Sequence, residues 1–297
     1  MTAKTKPAEG DTTFERHRAR AFSVAYRIVG SVSDAEDVVQ EAWLRWRSVD
    51  PATIRNPEAW LVTTTARLGI DALRAARARR ETYVGPWLPE PLVEAAIDAE
   101  PTPEDRLALA DDVSMALLHV LERLAPEERA AFLLHDAFDY DYGELAALLG
   151  KSEAACRQTV SRARRRVHDE HARFDTSARA HARLAAAFGS AIATADPQAL
   201  LECLSEDVVF YSDGGGKALA ALNPLHGPDH VARFLFGVIK KAQGNLQARP
   251  VTVNGFPGFV LMRGEKLETV MTFGISGGRI AAIYAMRNPD KLTRVVL

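Results

Sequence analysis

At 297 residues the chain is long enough for two or three domains with their own cores, and its 47% hydrophobic and 26% charged content is that of ordinary globular protein. No run approaches the ~20 apolar residues of a membrane span, the start MTAKTKPAEGDTT lacks a signal-peptide core, and two cysteines, Cys156 and Cys203, make neither a disulfide framework nor a metal set. A cytoplasmic protein without membrane contact, metal or cofactor is expected, and its net charge of −2 conceals blocks of opposite sign.

Residues 1–12 read as a polar, disordered tail. A first helix is predicted from Phe14 to Val29, with Phe22, Ala25, Tyr26 and Val29 on one side, and Gly30 stops it. Ser33-Asp34-Ala35-Glu36 fits a capping box for a second helix, Ala35 to Trp46, striped by Val38, Val39, Ala42, Trp43 and Trp46. Asn56-Pro57 opens a third, since Pro suits the first helical position. That helix turns Leu61, Thr65, Leu68 and Ala72 inward and ends basic at Arg74, Arg77, Arg79 and Arg80. Residues 13–80 are therefore expected to form a small all-α domain.

Residues 81–103 hold no Lys or Arg, five acids (Glu81, Glu90, Glu94, Asp98, Glu100) and five prolines (Pro86, Pro89, Pro91, Pro101, Pro103), so an extended acidic linker is predicted. Its WLPEP (Trp87 to Pro91) sets an aromatic in a stiff Pro frame, which suits docking on another domain.

Residues 104–174 contain the organising stretch. Tyr142 to Leu149 carries Leu145, Ala146, Leu148 and Leu149 inward; Gly150 can take the left-handed geometry that ends a helix, and Ser152 can cap the next. In that next helix Cys156, Val160, Ala163 and Val167 make one buried stripe. Its other faces carry Arg157, Gln158, Ser161, Arg162 and Arg165, side chains that reach base edges and phosphates. Seven basic residues stand against three acids from Lys151 to Arg173. Helix, glycine turn and basic amphipathic helix make a helix-turn-helix; the plainer reading is a solvated charged helix in a bundle.

Residues 175–297 begin with helices at Ala178 to Thr194 and from Asp196-Pro197, then a strand over Glu206 to Tyr211. A helix from Gly227-Pro228 to Lys241 precedes strands near 246–253, 259–263, 267–275 and 280–286, with Gly277-Gly278 as a hairpin turn. Helices followed by a curved antiparallel sheet predict an α+β cone. Tyr211, Asp213, His226 and His230 are candidate acid–base groups there, although no pair has a compelling spacing.

SDAEDVVQEAWLRW followed by NPEAWLVTTTARLGIDALRAARARR resembles region 2 of bacterial extracytoplasmic-function sigma factors, and the helix-turn-helix resembles their region 4. ATADPQALLECLSEDVVFYSDGG resembles the opening of the SnoaL-like, ketosteroid-isomerase-like fold. WLPEP, DGGGK (Asp213 to Lys217) and NPDKL (Asn288 to Leu292) are similar to motifs of the SigJ-like subgroup, which carries such a C-terminal domain. The resemblance implies a multidomain chain of two all-α sigma domains and an α+β SnoaL-like cone. It implies a non-enzymatic, monomeric transcription initiation factor whose partners are RNA polymerase core and promoter DNA. Its own C-terminal domain would stand in place of an anti-sigma protein.

Carried over by position, Asp37, Gln40 and Glu41 would bind polymerase from one helix face. Arg55, Asn56, Trp60, Thr64, Arg67 and Arg74 would meet the −10 element, with the loop Arg47 to Asn56 capturing a flipped base. Thr63 and Asp71 would line the same outward side. Arg157, Gln158, Ser161, Arg162 and Arg165 would enter the −35 major groove. The acidic linker would thread a polymerase channel, resembling an RNA backbone in charge, or serve only as a solubilising tether. Trp87, Leu88, Pro89, Asp213, Gly214, Gly215, Gly216, Lys217, Asn288, Pro289, Asp290 and Lys291 would form regulatory contacts that pack the C-terminal domain on regions 2 and 4. Two rival readings are a ligand sensor that binds DNA without polymerase, and a SnoaL-type enzyme on a DNA-binding head.

Overall fold

The computed structural model describes residues 9–50, 53–95, 114–171 and 177–295. They divide into two compact units, each discontinuous in sequence: residues up to Arg79 with Glu122–Arg166, and Arg80–Leu121 with the chain from Val167 onward.

The first unit is helical. Helix α1 (Glu9–Val29) already begins inside the stretch read as tail; residues 1–8 lie outside those described. Ala21, Val24, Ala25, Tyr26, Ile28 and Val29 are buried along it, while Phe22 is only half-buried. Gly30 takes φ 72°, and α2 (Val32–Ser48) starts at once. Its cap is therefore Ser31, whose Oγ accepts from the Asp34 amide at 3.2 Å, and not the Ser33 expected from the sequence. By Ser33 the chain is already helical.

Helix α3 (Pro57–Arg80) starts at Pro57 as expected, and Asn56 caps it: its Oδ1 accepts from the Ala59 amide at 3.1 Å. Its buried stripe runs Leu61, Val62, Thr65, Ala66, Gly69, Ile70, Leu73 and Ala76, leaving Leu68 and Ala72 half-buried. A Cβ on Gly69 would lie 3.2 Å from Ile28 Cγ2, so the glycine permits the close approach of α1 and α3. The remaining helices of this unit are α5 (Pro126–Ala137), α6 (Tyr142–Leu149) and most of α7 (Glu153–His171).

Among the described residues, the second unit is built on one sheet of seven strands, in the order β1-β4-β5-β6-β7-β2-β3. They are β1 (Val93–Ala95), β2 (Leu204–Asp213), β3 (Leu225–His226), β4 (Gln247–Val253), β5 (Phe256–Arg263), β6 (Lys266–Ser276) and β7 (Arg279–Met286). Two features depart from expectation. The sheet is mixed, because β2 pairs parallel with β7, Tyr211 opposite Tyr284. The linker also contributes strand β1, which adds to the edge of β4 with Val93 opposite Val253.

Period-two alternation gives the sheet two apolar faces. Phe210, Phe273, Ile275, Ile283 and Ala285 face one cluster, which helices α8 (Ala178–Ala193), α9 (Pro197–Cys203) and α10 (Pro228–Ala242) cover with Phe188, Leu200, Val231 and Leu235. Val253, Val260, Val270, Tyr284 and Met286 face a second cluster, covered by Leu88 of the linker and by Met115 and Ala116 of helix α4 (Met115–Leu121). Residues 96–113 lie outside those described. A sheet buried on both faces accounts for the nearly continuous apolar run Val270–Ile275 in β6.

Candidate nucleic-acid interface

The helix-turn-helix is built from local signals. Asp141 and Glu144 form a capping box, with Glu144 N to Asp141 Oδ1 at 2.8 Å and Asp141 N to Glu144 Oε2 at 2.9 Å. Gly150 ends α6 in the left-handed region at φ 65°, and Ser152 Oγ accepts from the Ala155 amide at 3.2 Å to start α7. Leu145 and Leu148 are buried on α6, with Ala146 and Leu149 half-buried. Cys156, Val160, Ala163 and Val167 are the buried stripe of α7, as the spacing predicts.

That packing leaves Arg157, Gln158, Ser161, Arg162 and Arg165 exposed together. Arg157 is steadied by Glu153 at 3.0 Å and by the Tyr142 ring, 5.0 Å from its guanidinium. Arg164 and Arg166 are bound to Asp136 and Glu128 at 2.7 and 2.9 Å, so these two basic side chains anchor α7 to α5. Among the described residues Gln158, Ser161 and Arg165 have no side-chain partner.

On α2, Asp37, Gln40 and Glu41 are exposed on one face, with Glu41 lightly held by Arg45 at 3.1 Å. Leu44, one turn on and 50% exposed, extends the same face. The sequence reading missed it, although its i+3 and i+4 spacing from Glu41 and Gln40 was available. Asp34, Asp37, Glu41 and Asp71 line a shallow groove of about 330 Å³ between α2 and α3, to which Arg79 also contributes.

The −10 residues fare differently. Arg55 is exposed, Asn56 serves as the α3 cap, and Pro51 and Ala52 of the expected base-capturing loop lie outside the described residues. Trp60 is half-buried and stands edge-on to Trp46 at 5.5 Å, a core contact more than a stacking platform. The α3 side expected to face outward is engaged by the region after Glu122. Thr63 Oγ1 lies 3.2 Å from Tyr140 Oη, Arg67 Nη2 donates to Ala147 O at 3.1 Å, and Arg74 Nη2 meets Glu127 Oε1 at 2.5 Å. Half-buried Thr64 makes none of these bonds.

Lys151 also pairs with Glu127. Lys151's hydrogen bond holds the Glu127 carboxyl below its ordinary value, against an opposing push from burial and with help from Arg74. A fully buried arginine, Arg129, ties α5 to α1: its Nε donates to Arg27 O at 2.8 Å and Nη1 pairs with Glu122. Nothing in the local pattern PEERAAFLL marked Arg129 as buried.

In the second unit the structure brings WLPEP, DGGGK and NPDKL together around Asp213, which is fully buried. Tyr83 Oη donates to Asp213 Oδ1 at 2.6 Å, the Leu88 amide to Oδ2 at 2.9 Å, and Lys291 Nζ pairs with Oδ2 at 2.6 Å. Lys291 also donates to Leu88 O and lies 4.0 Å from the Trp87 ring centre; Arg80 stacks on Trp87 at 3.4 Å. Asn288 Nδ2 donates to Tyr83 Oη at 2.8 Å and its Oδ1 caps Asp290; Lys217 pairs with Asp290 at 2.5 Å. Burial, and then hydrogen bonding to Asp213, push the Tyr83 phenol well above its usual range.

The glycines are required by close approach. A Cβ on Gly214 would sit 2.3 Å from Ala218 O, and one on Gly215 2.3 Å from Asn288 Nδ2. Gly216, at φ 71°, packs against Val84. Pro89 lies within the docked strap and Pro289 opens the short turn Pro289–Lys291. Within the second unit, these motifs thus meet the linker and one another.

The candidate acid–base groups do not converge. Asp213 is occupied by Tyr83, Leu88 and Lys291, Tyr211 stacks on Tyr284 at 5.6 Å, and His226 and His230 are exposed.

Two helical modules in this order, one presenting a basic recognition helix, define a promoter-recognition subunit. Residues 13–79 match the family described as sigma-70 region 2 and residues 114–167 that described as sigma-70 region 4. The chain is 40% identical to the extracytoplasmic-function RNA polymerase sigma factor SigJ of Mycobacterium tuberculosis over 294 residues, 94% of this chain and 92% of that protein. It is 31% identical to the probable sigma factor SigI of the same organism, over 93% of this chain and 92% of the relative. The crystal structure of M. tuberculosis SigJ superposes with a TM-score of 0.76 at 37% identity, covering 95% of this chain and 98% of SigJ. The chain belongs to the extracytoplasmic-function sigma factors of RNA polymerase.

Proposed function

We propose that this sigma factor offers Asp37, Gln40, Glu41 and Leu44 to RNA polymerase core, reads the −35 element with α7, and meets the −10 strand with the Arg55–Arg74 side of α3. The C-terminal domain, with the linker docked on it, serves in place of a separate anti-sigma protein. The observation that carries the reading is the engagement of α3 by the region-4 helices through Thr63, Arg67 and Arg74. The same side chains cannot hold a promoter strand and region 4 at once. The free chain is therefore a closed state, and initiation requires region 4 to leave α3.

Exposed pairs such as Arg74–Glu127 each contribute roughly 0–1 kcal/mol. A few such contacts make a closed state that the larger interface with core can overcome. The occupied state of Asp213 and the separation of His226, His230 and Tyr211 favour a regulatory over an enzymatic role for the C-terminal domain.

Promoter-directed run-off transcription with core enzyme is the test. Specific transcripts from the full chain, rising when Glu127→Gln frees Arg74 and Lys151 from their shared carboxylate, would support it. Failure of the full chain and of every C-terminal truncation to start at a defined promoter would refute it.

A further inference from the structure

On the helix-covered face of the sheet lies a cavity of about 420 Å³, in the size range of small-molecule sites. Phe188 of α8, Phe234 and Ile239 of α10, and Phe259, Leu261 and Met271 of the sheet form its apolar wall. Its polar end is made by Arg263, Glu268 and Arg287, beside Ser212 and Thr269. Arg263 Nε binds Glu268 Oε1 at 2.7 Å, and Arg287 Nη2 stands 3.7 Å from Glu268 Oε2, so one carboxylate serves two guanidinium groups.

Arg287 is the unsatisfied member. Its Nη1 donates to Leu219 O, but its buried Nε has no hydrogen-bond partner among the described residues. Burial pulls its pKa down, partly offset by Glu268 and deepened by Arg263. A buried donor left unpaired on a cation is costly, and an anion at this end would relieve both the missing bond and the surplus positive charge. Glu268 is the only acid among the lining residues. Its hydrogen bond to Arg263 holds it below the ordinary carboxylate range, against an upward push from burial. An ionised, doubly paired carboxylate suits fixing Arg263 and Arg287 in place; it is a poor proton acceptor.

We infer that this cavity binds a small monocarboxylic acid with an apolar body, the carboxylate on Arg287 and Arg263 and the body against Phe188, Phe234 and Phe259. The inference concerns the C-terminal domain alone and stands independently of the closed-state reading. Ser212 and Arg287 line the cavity, while the next residue in each case, Asp213 and Asn288, holds the linker on the opposite face.

The experiment is calorimetric titration of the full chain with decanoate and, in parallel, with decanol, its neutral analogue. Decanoate is expected to saturate one site and to bind at least about tenfold more tightly than decanol, the ~1.4 kcal/mol of one charge-assisted contact. Arg287→Gln should remove most of that difference, and Ile239→Trp, which fills the cavity, should abolish binding of both compounds. No binding of decanoate to the unaltered chain, equal affinity for acid and alcohol, or affinities untouched by Ile239→Trp would each overturn the assignment. The acid–alcohol comparison needs no variant, so a poorly folding substitution does not shield the proposal.

Discussion

Asp213 and Lys291 form an ion pair sealed between the linker and the sheet, with Tyr83 and the Leu88 amide completing the carboxylate's bonds. Breaking a buried pair from one side strands a charge, which costs about 3–5 kcal/mol, whereas replacing both partners is far milder. Lys291→Met should therefore lower unfolding free energy by that order and make the linker quickly cleaved in limited proteolysis. The double substitution Asp213→Asn with Lys291→Met should recover much of the loss; equal losses in the single and double variants would contradict the pairing. The sequence named both residues through a motif, but only the fold reveals that they touch. Leu44 and Arg129 went unnamed because their importance lies in exposure and burial, which a local pattern does not report.

At the scale of elements, α7 was legible almost in full. Its boundaries, cap and buried stripe depend on residues within a few positions of one another, so the reading aid is the helix period itself. On the proposed reading of the −35 element by α7, its exposed side chains have separable effects. Gln158→Leu should relax discrimination at one base pair of the −35 element by about 1–3 kcal/mol, whereas Arg165→Ala should weaken binding to all sequences and flatten its salt dependence, as measured by fluorescence anisotropy.

The α3–α5 contact carries a pH dependence. Glu127's carboxyl is depressed below its ordinary 4.5 in the folded chain, so its contribution is complete above that value and is lost as pH falls through the lower folded value. Hydrogen exchange in α3 should accelerate below about pH 4.5, and Glu127→Gln should remove that acid step. An unchanged acid step in the variant would mean that another carboxyl holds the contact. The two features of the sheet that the sequence did not yield, the parallel β2–β7 pairing and the added strand β1, both join residues far apart in the chain. Alternation fixes which side of a strand faces a core, but not which strand lies beside it.

At the scale of the molecule, the linker is part of the fold of the second unit over residues 80–95, through Trp87, Leu88 and β1. A chain truncated after Arg287 loses Asn288 and Lys291, hence two of the groups that hold it. Run-off transcription by that truncation should differ from the full chain by several-fold, and identical output would remove the NPDKL segment from control. Lys substitutions at Asp37 and Glu41 should abolish co-purification with core while leaving thermal unfolding unchanged, because both side chains are exposed.

The sequence by itself determined the three helices of the first eighty residues, the helix-turn-helix with its glycine turn and Ser152 cap, and the family, since each rests on short-range spacing that a one-dimensional string contains. The tertiary structure alone decided which charges are buried, that the Thr63–Arg67–Arg74 side of α3 is engaged by the helices after Glu122, and that an Arg-headed cavity lies on the sheet face opposite the docked linker. Those outcomes depend on pairings across tens to hundreds of residues, where desolvation and packing, not local propensity, choose the partner.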